Sequence, residues 1–94
     1  GEAIGRVEYR DDEGMLAVTI ERPEVDPLSL IAATQSGEPL FGAPQKGREP
    51  GIVLLPVRGN WGDMVLDGTY VQLTFMTDMG AFQVTRPVQL PPAD

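Results

Sequence analysis

The chain has 94 residues, with 14 acidic and 7 basic side chains, a formal charge of −7, and neither Cys nor His. This balance argues against nucleic acids and acidic membrane surfaces as partners, because both are bound through positive charge. The missing side chains exclude disulfides, thiolate metal sites and a Ser–His–Asp triad built from this chain alone. No apolar run reaches membrane-spanning length, and no charged segment precedes an apolar one, so we predict neither membrane insertion nor a signal peptide.

Catalysis has little support in these residue types. The hydroxyl side chains have no His to activate them, and the one lysine, Lys46, lies in a loop rich in Gly and Pro where burial is not expected. Paired carboxylates need a deep cleft, which a domain of this length rarely builds. We therefore expect no enzymatic activity and no cofactor, with calcium as the one ion left open.

The first third of the chain predicts a β-hairpin. Residues 6–10 alternate between apolar and charged side chains, an acidic turn ending in Gly14 follows, and residues 15–21 alternate again. Glycine supplies the positive φ that such a turn requires. We therefore expect two antiparallel strands joined at Gly14.

The middle of the chain contains two apolar segments separated by a long loop. Residues 28–34 suit a buried strand or two helical turns. Residues 42–51 are rich in Gly and Pro and predict an exposed crossover between two sheets. Residues 52–55 form a continuous apolar run, which is typical of a strand buried on both sides.

Two further strands finish the chain, over residues 69–77 and 81–90. Pro87 cannot donate a backbone hydrogen bond, so the last strand is expected at a sheet edge or with a bulge. Residues 91–94 are rich in Pro and predict a tail or linker. We therefore assign residues 1–90 to a single domain.

About seven short strands with regularly spaced turn signals predict an all-β sandwich. Its core is expected to use one face of each strand. The predicted core residues are Val7, Leu16, Val18, Ile20, Leu30, Val53, Leu55, Val71, Leu73, Phe75, Phe82 and Val84.

Two strings resemble known families. Residues 66–70 (LDGTY) with the turn at 77–80 (TDMG) resemble the last hairpin of bacterial immunoglobulin-like modules, and residues 37–43 (GEPLFGA) are similar to a turn of transthyretin-like, carboxypeptidase-regulatory modules. The resemblance covers about a third of the chain. It implies an immunoglobulin-like or transthyretin-like antiparallel β-sandwich of about seven strands. Modules of these families serve as spacers, adhesive units or binding accessories.

The loop at residues 60–70 contains the candidate contact residues Trp61, Asp63, Asp67 and Tyr70. A loop tryptophan can stack on a sugar or anchor a partner, and it can equally cap an open end of the sandwich. Successive side chains of a strand point to opposite faces, and Tyr70 falls on the face opposite to the apolar residues after it. Either its ring lies on the outer face, or a bulge lies beside it.

Asp11, Asp12 and Glu13 form the candidate metal site. Calcium is bound by six to eight oxygens, which loop carboxylates and backbone carbonyls supply. The spacing is not that of an EF-hand, and charged residues also populate hairpin turns for solubility. The sequence therefore leaves calcium binding and a solvated turn as alternatives.

We expect a non-enzymatic module of a larger bacterial surface, secreted or periplasmic protein, and hence an extracytoplasmic location. Its role would be that of a spacer or a protein–protein interaction domain. The alternative is a calcium- or carbohydrate-binding accessory domain that uses residues 60–70. An edge strand can also accept a partner strand, and the strand with Pro87 would be the poorer edge.

Overall fold

The computed structural model describes residues 2–92, so the predictions for Gly1 and for residues 93–94 lie outside the described residues. Seven strands form two antiparallel sheets, which confirms the predicted all-β, sandwich-like class. The strands are β1 (Ile4–Arg10), β2 (Met15–Ile20), β3 (Ile31–Thr34), β4 (Gln45–Lys46), β5 (Ile52–Pro56), β6 (Tyr70–Thr77) and β7 (Gly80–Pro87). A one-turn helix α1 (Trp61–Met64) and a 3₁₀ turn (Pro27–Ser29) lie in the connections.

The four-stranded sheet has the order β1-β2-β5-β4. Its first two strands form the predicted hairpin, with Arg10 paired to Met15 and Gly14 at a φ of 65° in the turn. The apolar run in β5 lies between β2 and β4, as its hydrophobicity suggests. The prediction that this strand is buried on both sides is wrong for one face. Val53 and Leu55 are buried, but the alternate residues of β5 lie on the outer face and stay partly exposed.

The three-stranded sheet has the order β3-β6-β7. The apolar segment at residues 28–34 resolves into the end of the 3₁₀ turn and strand β3. The carboxylate of Asp26 accepts the Leu28 N–H (3.2 Å) and caps the start of the turn. The turn ends at Leu30, whose backbone is extended with a ψ of 129°, and strand β3 follows. Strand β7 pairs with β6 alone among the described strands, so the edge position predicted from Pro87 is confirmed.

The chain changes sheets after Pro87, and the predicted last strand is divided at that point. Residues 88–90, here called the crossing segment, leave β7 and join the other sheet. The Val88 N–H donates to the Thr69 carbonyl (2.7 Å), which holds the segment to the start of β6. Gln89 then exchanges two backbone hydrogen bonds with β1 (2.8 and 3.0 Å) in a parallel bridge. The crossing segment thereby closes one side of the sandwich.

The opposite side is closed by the segment between β3 and β4. The Arg58 N–H donates to the Leu40 carbonyl and the Gly42 N–H donates to the Pro56 carbonyl, both at 2.7 Å. Residues 35–44 carry the chain from the three-stranded to the four-stranded sheet. The crossover predicted at residues 42–51 is therefore placed too late, because most of that Gly- and Pro-rich loop already belongs to the four-stranded sheet through the β4–β5 hairpin. The loop also contains the short edge strand β4, which was not predicted.

Most of the predicted core is confirmed, and its exceptions lie at the ends and edges of strands. Ile20 and Val84 are partly buried, and Phe82 is 47% exposed. Phe82 lies on the edge strand, where it stacks on Phe75 with ring centroids 6.1 Å apart but has no strand on its other side. Buried residues that the sequence analysis did not assign to the core are Ile4, Tyr9, Ala17, Val25, Ala32, Thr34, Phe41, Trp61 and Val88.

Candidate functional site

The outer surface of the three-stranded sheet carries no charged side chain. Arg86 is the only charged residue in its strands, and it is paired with Val71 on the inner face. The strand register places a continuous set of neutral side chains on the outside. This uncharged face consists of Ile31, Ala33, Tyr70, Gln72, Thr74, Met76, Ala81, Gln83, Thr85 and Pro87.

Apolar side chains on the uncharged face are open to solvent. Ile31 is 65% exposed, Met76 is 47% exposed and Tyr70 is 45% exposed. Between them, the amide of Gln83 donates to the amide oxygen of Gln72 at 2.8 Å. These side-chain contacts across strands leave apolar groups and neutral hydrogen-bonding groups side by side on one flat surface.

The outer surface of the four-stranded sheet has the opposite character. Glu8 accepts from Arg6 (2.7 Å) and from Arg10 (3.3 Å), and Arg10 also pairs with Glu49 (3.2 Å). Desolvation alone would lower the pKa of Arg10, but the hydrogen bond to Glu8 and the charge of Glu49 outweigh it and raise that pKa. The outer members of this network, Arg6 and Glu49, are open to solvent, so the surface is charged and solvated.

A shallow groove of about 470 Å³ borders the uncharged face at Tyr70. It is lined by Thr34, Gln35, Ser36, Glu38, Trp61, Thr69 and Tyr70. The hydroxyl oxygens of Thr34 and Ser36 lie 3.1 Å apart, and the Ser36 hydroxyl donates to the Glu38 carboxylate at 3.3 Å. The groove therefore presents an aromatic ring beside a chain of hydroxyl and carboxylate groups.

Trp61 reaches this groove but is mainly a packing residue. It is 8% exposed, and its ring makes edge-on contacts with Tyr9 (5.9 Å between centroids) and Phe41 (5.1 Å). A Cβ at Gly62 would collide with the Tyr9 hydroxyl, so glycine permits helix α1 to lie against that ring. The structure thus favours the capping alternative for Trp61.

The other predicted contact residues are placed differently. Tyr70 lies on the outer face, as one of the two readings of its parity predicted. Asp63 is exposed on helix α1, and the Asp67 carboxylate accepts the Leu90 N–H at 2.9 Å. Asp67 therefore fixes its loop to the crossing segment. The groove brings Trp61 and Tyr70 together, while neither aspartate lines it.

Asp11, Asp12 and Glu13 lie exposed in the β1–β2 turn. Within residues 2–92, no group of three or more acidic side chains is arranged to hold a metal ion. Calcium binding at this turn therefore gains no geometric support and stays a prediction.

The hydroxyl and carboxylate groups of the groove were missed by the sequence analysis. Thr34 ended the predicted apolar segment at residues 28–34, and residues 37–43 were recognised only as a turn. That turn is closed by the Thr34 N–H, which donates to the Glu38 carbonyl at 2.9 Å. The hydroxyl and carboxylate groups come close to Tyr70 only because β3 pairs with β6, with Thr34 opposite Val71. Such a long-range pairing leaves no local signal in the sequence.

Comparison with known proteins does not assign the chain to a family. No family model matches the chain, and no curated protein or solved structure is significantly similar to it. Neither helical segment within residues 2–92 has the length and apolar character needed to cross a membrane.

Proposed function

We propose that this chain is a non-enzymatic β-sandwich module that binds a protein partner through its uncharged face. Its setting would be extracytoplasmic, within a larger bacterial surface, secreted or periplasmic protein. The observation that carries the proposal is the lack of charge on that face, in a protein where 22% of residues are charged. Depletion of charged side chains is what distinguishes the centre of a protein interface from ordinary surface.

The exposed apolar groups of the face fit this role, and its size sets how much surrounding surface a partner would also need. The eight residues of β6 give it a length of about 27 Å. Exposed apolar patches of this order on small proteins are often functional. A standard interface needs about 800 Å² per partner, so side chains around the face would have to contribute as well. Tyr70, with a large rigid ring at one end of the face, has the chemistry of an interface anchor.

Contact through the face needs no free strand edge, whereas addition of a partner strand would use β3 or β7. The edge strand β3 has only four residues, so it offers a short ladder of backbone hydrogen bonds. β7 offers eight residues, and Pro87 removes one donor at its end.

A charge placed at the centre of the face should abolish partner binding. Thr74 lies between Ile31 and Gln83, so Thr74→Lys would bring an unpaired ammonium into the contact. The matched control is Thr19→Lys, which changes the same residue type on the outer face of the four-stranded sheet. Both variants should keep their stability within about 0.5 kcal/mol, since both sites lie at the surface.

The measurement is affinity capture from an extract of the source organism, with the bound proteins identified and each titrated against the purified variants. A partner retained by the parent and by Thr19→Lys, but lost by Thr74→Lys, supports the proposal. A partner retained equally by both variants places the contact elsewhere on the molecule and rejects it.

A second candidate is carbohydrate binding in the groove at Tyr70. It is favoured by one arrangement, the exposed Tyr70 ring beside the hydrogen-bonded Thr34, Ser36 and Glu38 side chains. Tyr70→Ala should then remove the chemical-shift changes caused by neutral oligosaccharides such as maltohexaose or chitohexaose. Phe82→Ala, at an equally exposed aromatic outside the groove, is the control. Absence of saturable shifts in the parent protein would eliminate this candidate.

A further inference from the structure

A second groove shares no residue with the uncharged face. Its volume is about 460 Å³, and it is formed by the connector after β2 and by the β4–β5 hairpin. Its apolar surface comes from Ile20, Pro23, Val25, Pro27, Ile52 and Val53. Val25 and Val53 are 3% and 1% exposed, so the groove reaches down to the edge of the core.

Cations are concentrated around this apolar surface. Three of the seven basic residues, Arg22, Lys46 and Arg48, line the groove. Among the described residues, no carboxylate lies within ion-pair distance of Lys46 or Arg48. Basic side chains therefore outnumber the two acidic ones, Glu21 and Glu49, in the lining of this groove, although the protein as a whole is acidic.

The two carboxylates of the groove are engaged elsewhere. Glu49 pairs with Arg10 of β1 at 3.2 Å. Glu21 lies against Gly5, where its side chain occupies the space that a Cβ would need. The negative charges therefore lie toward β1, and the positive charge of Lys46 and Arg48 remains available to a ligand.

Backbone hydrogen bonds fix the segments that form the groove. The Ile20 N–H donates to the Gly51 carbonyl at 2.7 Å, and the Gly47 N–H donates to the Ile52 carbonyl at 2.8 Å. Gly51 has a φ of 78°, a conformation that favours glycine, so the hairpin turn is defined by its sequence. A preformed groove of this kind loses little conformational entropy when a ligand binds.

We propose that this groove binds a carboxylate attached directly to an apolar group. The apolar surface would take the hydrocarbon part, and Lys46 and Arg48 would take the carboxylate through charge-assisted hydrogen bonds. The volume lies in the range of small-molecule sites, about 300–1,000 Å³. Two sources share this chemistry, namely a small organic acid and the C-terminus of a peptide that ends in an apolar residue.

The test is a series of ¹H–¹⁵N NMR titrations of the full chain. The ligands are octanoate and 1-naphthoate for the small acid, and a short peptide ending in leucine, with either a free or an amidated C-terminus, for the chain end. We expect saturable shifts confined to residues 20–27 and 46–53. The double variant Lys46→Gln/Arg48→Gln should weaken binding about fivefold or more, since each exposed ionic contact contributes modestly.

Two controls separate charge from apolar contact. Arg58→Gln removes an exposed cation that does not line the groove, and it should bind like the parent. 1-Naphthylmethanol, which lacks the charge, should bind the parent more weakly than 1-naphthoate. A dispersed spectrum of each variant confirms that it is folded.

Each outcome decides the proposal. Binding of either acid or of the free-carboxylate peptide that is weakened by the double variant supports it, and the ligand that binds identifies the source. No saturable shift with any ligand, equal binding by the double variant, or equal binding of the neutral ligands would overturn it. The result is independent of the Thr74→Lys experiment, because the two surfaces share no residue.

Discussion

Replacing Val88 by aspartate should remove most of the stability of this protein. Val88 is fully buried at the start of the crossing segment, where its backbone holds β6. A carboxylate at this position would be enclosed among apolar side chains with no partner. A buried unpaired charge of this kind costs more than about 4 kcal/mol, against a total of about 5–15 kcal/mol for a domain.

The matched control for Val88→Asp is Gln89→Asp, which introduces the same side chain one residue later at an exposed position. Its free energy of unfolding should stay within about 1 kcal/mol of the parent value. Urea denaturation followed by the fluorescence of the single tryptophan, Trp61, reports both, because its buried ring becomes exposed on unfolding. Equal urea midpoints for the two variants would show that Val88 is not enclosed in solution.

The destabilisation by Val88→Asp should also depend on pH. Burial disfavours the charged form, so the pKa of the new carboxyl is higher in the folded than in the unfolded state. The part of the lost unfolding free energy that is caused by the charge is then complete above the folded-state pKa. It disappears as the pH falls below about 4. The unfolding free energies of parent and variant should therefore converge at acidic pH, except for the packing lost with the valine.

Replacing Trp61 by alanine should lower the free energy of unfolding by about 3–5 kcal/mol. The ring is 8% exposed and closes one end of the core through its contacts with Tyr9 and Phe41. Removing it would leave a cavity between these two rings and expose Phe41. Urea denaturation followed by far-UV circular dichroism measures the loss, since this variant has no tryptophan.

Met64→Ala is the control for Trp61→Ala, because Met64 belongs to the same helical turn and is 63% exposed. It should change the unfolding free energy by less than about 0.5 kcal/mol. Trp61→Phe should recover part of the loss, since phenylalanine keeps an aromatic ring between Tyr9 and Phe41. If Trp61→Ala were as stable as Met64→Ala, the tryptophan would be available as a contact residue after all.

The strands and most of the core could be predicted because alternation of apolar and polar residues reports which face of a strand is buried. The prediction was incomplete where burial depends on partners distant in the sequence. Phe82 continues the alternating pattern but lies on an edge strand, and Tyr9 and Phe41 are buried because Trp61 covers them. The proline at position 87 indicated an edge, but nothing local indicated that the next residues join the other sheet.

The candidate site was predictable only in part, for a similar reason. The outward orientation of Tyr70 was one of two alternatives that the sequence left open, and the unbroken register between β6 and β7 decides for it. The uncharged face could not be predicted from one strand, because it depends on the pairing of β3 with β6, which brings Ile31 beside Thr74. The second groove, lined by Lys46 and Arg48, forms because the β4–β5 hairpin packs beside the connector after β2. These two residues gave no indication of a site on their own.

The parallel pairing of the crossing segment with β1 has a mechanical consequence. Because the two run in the same direction, Glu2 precedes β1 at one end of the pair and Pro92 follows the crossing segment toward the other. Tension between these two residues would pull the neighbouring strands lengthwise past each other. The two backbone hydrogen bonds of Gln89 would then be loaded together rather than one after another.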